Sequence, residues 1–143
     1  MSVERECQGA CLCGAVTLSV AVAQHKVSVC HCHMCQTWGG GPLLAIDCQD
    51  RVAIDGEESV SVYASSEWAE RGFCRHCGTH LFYRLKAGDH YEIPAGLIDN
   101  GEPWKMTLQI FIDEKPAHYD FANETRTLTG AEAFEAASGS AGS

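Results

Sequence analysis

Three short cysteine clusters constrain the fold of this chain more than any other feature of its sequence. They are Cys11-Leu12-Cys13, Cys30-His31-Cys32-His33-Met34-Cys35 and Cys74-Arg75-His76-Cys77. Thiols at positions i and i+2 of a strand project from the same face, and Cys-x-x-Cys brings two thiolates together across a tight turn. Each cluster can therefore share one ion, and we expect the chain to fold around metal sites.

The cysteine content is informative because of the compartment in which the chain is expected to reside. The first six residues carry acidic side chains rather than the apolar stretch of a secretory signal, and no apolar run reaches the roughly 18 residues of a membrane span. We expect a cytoplasmic protein without a membrane partner. Disulfides are rare in a reducing compartment, so nine cysteines in 143 residues predict metal binding or thiol chemistry.

The charge and the length narrow the class of protein further. A formal net charge of -9 argues against a nucleic-acid partner, whose phosphates need neutralisation by Lys and Arg. The length of 143 residues suits one domain, which we place at residues 1–137. Residues 138–143 contain only Gly, Ser and Ala, and we expect them to form a disordered tail.

Hydrophobic periodicity predicts a mainly β fold with short helical segments. Residues 14–22 alternate small or polar with branched apolar side chains, as a half-buried strand does. Similar β-rich runs follow at residues 27–29, 43–46, 52–54, 60–63, 80–85, 90–93 and 106–112. The helical candidates are residues 65–71 and 131–137.

Two of the clusters together supply the four ligands of a closed zinc site. Cys11, Cys13, Cys74 and Cys77 form two pairs, and structural zinc takes four tetrahedral ligands. A glycine follows Cys77 and suits the turn that such a pair needs. The alternative is that the four are buried apolar cysteines without a metal.

The middle cluster offers three thiolates, Cys30, Cys32 and Cys35, within six residues. Three protein ligands leave a fourth position to water or substrate, which distinguishes catalytic from structural zinc. Three thiolates on Zn²⁺ give a formal charge of about -1, so activation of a substrate thiol is favoured over polarisation of a carbonyl. The alternative is a second structural zinc completed by His31, His33 or Cys48, while Cys7 and Cys48 are otherwise ordinary small residues.

With these motifs assembled, the chain resembles the glutathione-dependent formaldehyde-activating enzyme family, whose relatives include centromere protein V. The resemblance rests on residues 9–16, on the middle cluster followed by Trp38-Gly39-Gly40, and on residues 71–79. It implies a β-tent of antiparallel sheets with two zinc ions. The structural zinc would use Cys11, Cys13, Cys74 and Cys77, and the catalytic zinc Cys30, Cys32 and Cys35.

The resemblance also implies a carbon-sulfur lyase that joins glutathione and formaldehyde into S-(hydroxymethyl)glutathione. Trp38, Gly39 and Gly40 are candidate substrate contacts, although the glycines also suit a plain turn. Arg71 is a candidate cation for the carboxylates of glutathione, and its alternative is a solvated helix residue paired with Glu67. Members of the family often carry a basic residue after the third cysteine of the open cluster, whereas Gln36 follows here.

Other functions remain open at this point. Another small thiol or another carbonyl compound fits the same cluster. A non-catalytic zinc module that mediates a protein interaction would need a fourth ligand on the middle cluster and an exposed docking surface. A redox pair made by Cys74 and Cys77 is disfavoured, because the βαβ pattern of thioredoxin-like proteins is missing from the sequence.

Overall fold

A computed structural model describes residues 5–22, 24–99 and 103–140, with only the backbone described for Arg5 and for residues 137–140. The elements follow in the order β1 (Arg5–Ala10), β2 (Thr17–Val22), β3 (Lys26–Cys30), α1 (His33–Gly39), β4 (Leu43–Gln49), β5 (Val52–Asp55), β6 (Val60–Tyr63), β7 (Ala69–Cys74), β8 (His80–Leu85), β9 (His90–Pro94), β10 (Ile98–Asp99), β11 (Lys105–Ile110), β12 (Arg126–Leu128) and α2 (Gly130–Ser140). Within these ranges, no helix has both the length and the apolar character that a membrane crossing requires.

The strands form two sheets, which confirms the mainly β prediction. The small sheet has the order β10-β1-β2-β5, and the large one has the order β12-β11-β3-β4-β9-β8-β7-β6. Their pairings are antiparallel except that β11 runs parallel to both β3 and β12. The large sheet matters most for function, because it carries the middle cysteine cluster and the residues that surround it.

The hydrophobic core lies between the two sheets, and one face of each sheet contributes to it. On β2 the buried residues Leu18, Val20 and Val22 alternate with more exposed ones, as the period of 2 predicts for a half-buried strand. They join Ile46 and Ile93 of the large sheet in one hydrophobic cluster. Alternation on the large sheet then directs the neighbouring side chains to its opposite face, where the candidate site is found.

The two cysteines outside the clusters, Cys7 and Cys48, belong to this core, and each is 2% exposed. Burial raises the pKa of the Cys48 thiol to about 12, so this residue stays a neutral thiol at neutral pH.

The strand predicted at residues 14–22 begins at Thr17, and β1, β10 and β12 were not predicted. Three further differences bear on the candidate site. The helix expected at residues 65–71 is absent, because Ala69–Cys74 pairs with β6 and β8 as an inner strand. The strand expected to reach residue 112 ends at Ile110, since Phe111 takes a positive φ of 55°. Helix α1 was not predicted, because its seven residues are too few to establish a helical period.

The C-terminal helix is longer than expected. Its start is fixed by a reciprocal pair, in which Glu132 N donates to Thr129 Oγ1 (3.1 Å) and Thr129 N donates to Glu132 Oε1 (2.8 Å). The helix then continues to Ser140, and so includes three residues that were expected to be disordered. Small side chains bury little area but do not prevent helix continuation. Residues 141–143 lie outside the described part of the chain.

Candidate metal centres

The four-cysteine site joins the turns of two antiparallel hairpins, β1–β2 and β7–β8. Cys11 N donates to Val16 O at 3.0 Å, and Cys74 N donates to Thr79 O at 2.9 Å, so each turn is closed behind its first cysteine. Each turn contains a glycine in the left-handed region, Gly14 with φ 80° and Gly78 with φ 78°. Two hairpins far apart in sequence therefore present their cysteines to one point.

The sulfur positions fit a tetrahedral zinc ion. Cys13 Sγ lies 3.6 Å from Cys11 Sγ and 3.7 Å from Cys74 Sγ, and the four sulfurs of this cluster all lie within 4.8 Å of one another. A tetrahedron with Zn–S bonds of about 2.3 Å has edges of about 3.8 Å. Cys13 is exposed, which is not the environment of an ordinary core cysteine. The geometry favours a metal site over a metal-free buried set.

Hydrogen bonds support the thiolate character of this site. Val16 N donates to Cys11 Sγ at 3.3 Å. Thr79 Oγ1 accepts a hydrogen bond from Leu12 N at 3.1 Å. The hydroxyl proton of Thr79 is then available to donate to Cys77 Sγ, which lies 3.2 Å from Oγ1. Hydrogen bonds from Thr79 lower the pKa of Cys77 to about 5.

The three-cysteine site is built where strand β3 passes into helix α1. Cys30 is the last residue of the strand, Cys32 is the N-cap of the helix, and Cys35 lies in the first turn. Cys35 N donates to Cys32 Sγ at 3.3 Å, and the three sulfurs lie within 4.8 Å of one another. Hydrogen bonds from the Cys30 and Cys35 thiols lower the pKa of Cys32 to about 2. This donor set fits zinc, and the helix start holds it in place.

None of the candidates for a fourth ligand joins this cluster. His31 is fully buried, with Nδ1 2.7 Å from the Tyr119 hydroxyl and Nε2 2.8 Å from Gln109 Oε1. His33 is exposed, and its Nε2 lies 3.6 Å from Glu114 Oε1. Cys48 belongs to the hydrophobic core. Among the residues that the structure describes, the group at this site consists of three cysteines.

Arg71 is the main difference between the predicted and the observed site. It is 2% exposed on strand β7, and Nη1 and Nη2 each lie 3.7 Å from Cys35 Sγ. Its guanidinium carbon lies 5.0 Å from the ring centroids of both Trp38 and Tyr83. The alternative interpretation, a solvated helix residue paired with Glu67, is therefore wrong, and the guanidinium faces Cys35. The predicted role of Arg71 as a substrate contact stays a prediction.

Trp38, predicted as a substrate contact, packs against this arginine. Its ring stacks on His80 with 3.8 Å between centroids and 7° between planes. Gly40 ends α1 with φ 84°, and both Gly39 and Gly40 are exposed. Neither glycine lines the cavity described next. Gly39 and Gly40 therefore form the end of helix α1, and the ring of Trp38 packs against the guanidinium of Arg71.

A cavity of about 410 Å³ opens beside the three cysteines, on the face of the large sheet opposite the core. Its described lining residues are Ser28, Val29, Cys30, Cys32, His33, Met34, Cys35, Leu43, Ala45, Trp68, Arg71, Tyr83, Glu92, Ile110, Phe111, Glu114 and Phe134. Strands β3, β4, β8 and β9 contribute to it, and α2 supplies Phe134. The three-cysteine cluster therefore lies in the wall of a cavity.

Glu92 lines the same cavity and was not identified from the sequence. His90 Nε2 lies 2.8 Å from Asp47 Oδ1 and 3.0 Å from Glu92 Oε2, so one imidazole joins two carboxylates. These hydrogen bonds raise the pKa of His90 to about 10, so the imidazole is protonated at neutral pH and donates to the two carboxylates. Burial raises the pKa of Glu92. The i, i+2 spacing of His90 and Glu92 on one strand was the available signal.

This chain is similar to known proteins along most of its length. The model of the glutathione-dependent formaldehyde-activating enzyme family matches residues 6–114. An uncharacterised lyase of Schizosaccharomyces pombe is 40% identical over 125 residues, which cover 87% of this chain and 91% of that protein. A crystal structure of a Rhodobacter sphaeroides protein has a TM-score of 0.57 at 22% identity, covering 67% of this chain and 91% of the other. The likeness to that structure concerns the fold alone.

Proposed function

The chain belongs to the glutathione-dependent formaldehyde-activating enzyme family, and from this premise we propose that it is a zinc-dependent carbon-sulfur lyase. It would join a small thiol to an aldehyde, most simply glutathione and formaldehyde into S-(hydroxymethyl)glutathione. The observation that carries the proposal is the three-cysteine cluster in the wall of a cavity of about 410 Å³. A purely structural cluster has no need of such an opening.

The proposal assigns a different metal role to each cluster. Cys11, Cys13, Cys74 and Cys77 would hold a structural zinc, and Cys30, Cys32 and Cys35 would hold a catalytic one. When bound by three thiolates, zinc supplies a fourth position at which an incoming thiol loses its proton readily. The remaining work falls to residues of the chain, which orient the thiol, balance its charge and handle the proton.

Arg71 supplies the charge that a thiolate-rich site needs. Three cysteine thiolates and a substrate thiolate would together bring four negative charges to a site whose zinc would carry two positive ones, which leaves a surplus of negative charge. The buried guanidinium directs two donors at Cys35 Sγ, and its carbon lies over the rings of Trp38 and Tyr83. Because the charge is buried, its effect on the sulfurs is weakly screened by solvent.

Glu92 is the proposed general acid and base. In the forward reaction the thiol S–H bond and the carbonyl π bond break, a carbon-sulfur bond forms, and the proton ends on the former carbonyl oxygen. Glu92 shares the cavity with the three cysteines, and burial raises the pKa of its carboxyl above the ordinary value. A carboxyl placed beside the reacting atoms can serve as general acid and base. His90 fixes the carboxylate through its hydrogen bond to Oε2.

The test is the rate at which the enzyme makes and breaks the adduct. Thiols add to formaldehyde without a catalyst, so exchange NMR with ¹³C-formaldehyde and glutathione should compare the interconversion rate with and without protein. We expect the wild type to accelerate exchange, Cys32→Ala to abolish the acceleration, and Glu92→Gln to reduce it by about 10²-fold or more. No acceleration with glutathione or with 2-mercaptoethanol, for formaldehyde and for a larger aldehyde alike, in protein that holds two zinc ions, would reject the lyase function.

A further inference from the structure

The cavity beside the three cysteines is apolar. Apart from the cysteines, its walls are mostly aliphatic and aromatic, and the aliphatic part is formed by Val29, Leu43, Ala45 and Ile110. Besides the cysteines, the lining residues with strongly polar or charged side chains are Ser28, His33, Arg71, Glu92 and Glu114. A cavity with mostly apolar walls is typical of a binding site for an apolar organic group.

The mouth of the cavity is apolar as well. Met34, Trp68 and Phe134 line it and are 45%, 50% and 55% exposed. They are three of the six large hydrophobic side chains that the described residues expose. Phe134 meets Trp68 and Phe111 edge to face, at centroid distances of 6.5 Å and 5.7 Å. Exposed apolar side chains grouped at an opening mark an entry for an apolar ligand.

The size of the cavity does not match formaldehyde. Formaldehyde has two heavy atoms and a volume of the same order as water, which occupies about 30 Å³ in the liquid. Most of the 410 Å³ would therefore remain unfilled by it. Water is a poor filler for the remainder, because it needs several polar partners and these walls offer few.

The charges of the cavity do not match the body of glutathione either. Glutathione carries two carboxylates, and burying a carboxylate without a partner is costly. Arg71 is the only arginine or lysine among the described lining residues, and both of its Nη atoms face Cys35. Glu92 and Glu114 would repel a carboxylate. The apolar volume is therefore suited to the aldehyde side of the adduct, with the polar part of the thiol held outside.

We propose that the carbonyl substrate is an aldehyde with a bulky apolar group, aryl or branched alkyl, whose side chain fills this cavity while its carbon meets the thiol at the three cysteines. This inference rests on the lyase function proposed above. The reaction stays a simple addition: the S–H bond and the carbonyl π bond break, the carbon-sulfur bond forms, and the proton ends on oxygen. No oxidant or reductant is required.

The direct test compares phenylacetaldehyde with formaldehyde, using 2-mercaptoethanol as a neutral thiol and glutathione as an anionic one. We expect kcat/KM to be at least about tenfold higher for phenylacetaldehyde, since one methylene in an apolar pocket is already worth about tenfold or more. A wild type that prefers formaldehyde with both thiols would overturn the inference and leave the lyase function standing.

Two variants localise the effect. Ala45→Phe places a ring in the cavity from strand β4, and Ala53→Phe on the exposed face of β5 is the matched control. Ala45→Phe should lower kcat/KM for phenylacetaldehyde at least about tenfold and leave that for formaldehyde within about threefold. Should Ala45→Phe misfold, Phe134→Ala serves instead, because this side chain is more than half exposed and should raise KM for phenylacetaldehyde only.

Binding without reaction separates this inference from the function on which it rests. Benzyl alcohol resembles the apolar substrate but cannot form the adduct, and its binding can be followed by NMR shifts and by Trp fluorescence. Saturable binding that Ala45→Phe removes and Ala53→Phe keeps would support the apolar cavity even if no lyase activity were found. Absence of binding to the wild type would overturn the inference whatever the activity assay shows.

Discussion

The two cysteine clusters use the same ligand atom but differ in the segments that supply the cysteines and in the residues around them. The four sulfurs of the first site come from two hairpin turns that are distant in sequence, and their contacts are backbone N–H groups and Thr79. The three sulfurs of the second come from a single segment, Cys30 to Cys35, and face a buried arginine and a cavity. This difference supports the proposed division between a structural site and a substrate-binding site.

The source of the ligands explains this division. A metal that joins the β1–β2 turn to the β7–β8 turn restrains a long loop of the unfolded chain and links the two sheets. A metal on residues 30–35 closes only a short loop, which helix α1 and strand β3 already organise. Loss of the first metal should therefore affect the whole molecule, and loss of the second should affect mainly the site.

Removing one ligand from each site should give the largest contrast. Cys74→Ala should lose the structural zinc and several kcal/mol of the free energy of unfolding, which is the order of the total stability of a domain. Cys32→Ala should lose the other zinc with a change of about 1 kcal/mol. Urea unfolding together with zinc analysis measures both quantities. Equal destabilisation by the two variants would remove the distinction.

Chelation should separate the same sites without mutation. A site closed by four thiolates should release zinc at a chelator concentration at least about tenfold higher than a site with three thiolates and an exchangeable position. A titration with EDTA should therefore remove one zinc and the lyase activity first, while the far-UV circular dichroism stays unchanged. Release of both ions in a single step, with loss of the circular dichroism signal, would contradict this account.

Replacing the buried arginine should act on one site alone. Arg71→Met keeps an apolar side chain between Trp38 and Tyr83 but removes the donors to Cys35 Sγ, and we expect zinc affinity at the three-cysteine site to fall about 10- to 100-fold. Arg84→Met is the control, because Arg84 pairs with Glu70 away from both clusters. Competition with a chromophoric chelator measures the affinity. An equal loss in both arginine variants would show that Arg71 has only a structural role.

The smallest predicted effect is the loss of stability when His90 is replaced. His90 is hydrogen-bonded to Glu92, which lines the cavity. Its folded pKa of about 10 lies above its ordinary value of 6.5, so its stabilisation is complete below pH 6.5 and is lost as the pH rises through about 10. Because His90 and Asp47 are partly exposed, we expect His90→Gln to cost about 1 kcal/mol at pH 6 and almost nothing above pH 10. Urea unfolding across this range checks it. A pH-independent difference would show that packing, rather than the charge of His90, is responsible.

The parts of the fold that follow from local pattern were predictable. The alternation on β2 identified a half-buried strand, and the two cysteine pairs identified the closed cluster, because spacing within a turn or a strand decides which side chains meet. The membership of Cys30, Cys32 and Cys35 in one group is equally local. These features depend on neighbours in sequence.

The features that were missed depend on neighbours in space. The segment before Cys74 carries a helix-like pair, Glu67 and Arg71, and its strand appears only because β6 and β8 pair with it on both sides. The burial of Arg71 follows from the same pairing, which directs its side chain toward α1. Likewise, Glu92 becomes part of the site because β9 lies beside β4 and β8. No short window of sequence contains these pairings.

The central claim is that the three-cysteine site keeps a position for a substrate thiol while the four-cysteine site does not. X-ray absorption at the zinc edge tests it most directly, on protein with two zinc ions per chain, during titration with 2-mercaptoethanol and then glutathione. The account predicts an average of about 3.5 sulfur ligands per zinc, rising to about 4 as thiol binds. Cys32→Ala, left with the four-cysteine zinc alone, should show one zinc with about 4 sulfur ligands before and after thiol is added. For the wild type, an average of about 4 before thiol is added, unchanged afterwards, would contradict the account and leave two structural sites.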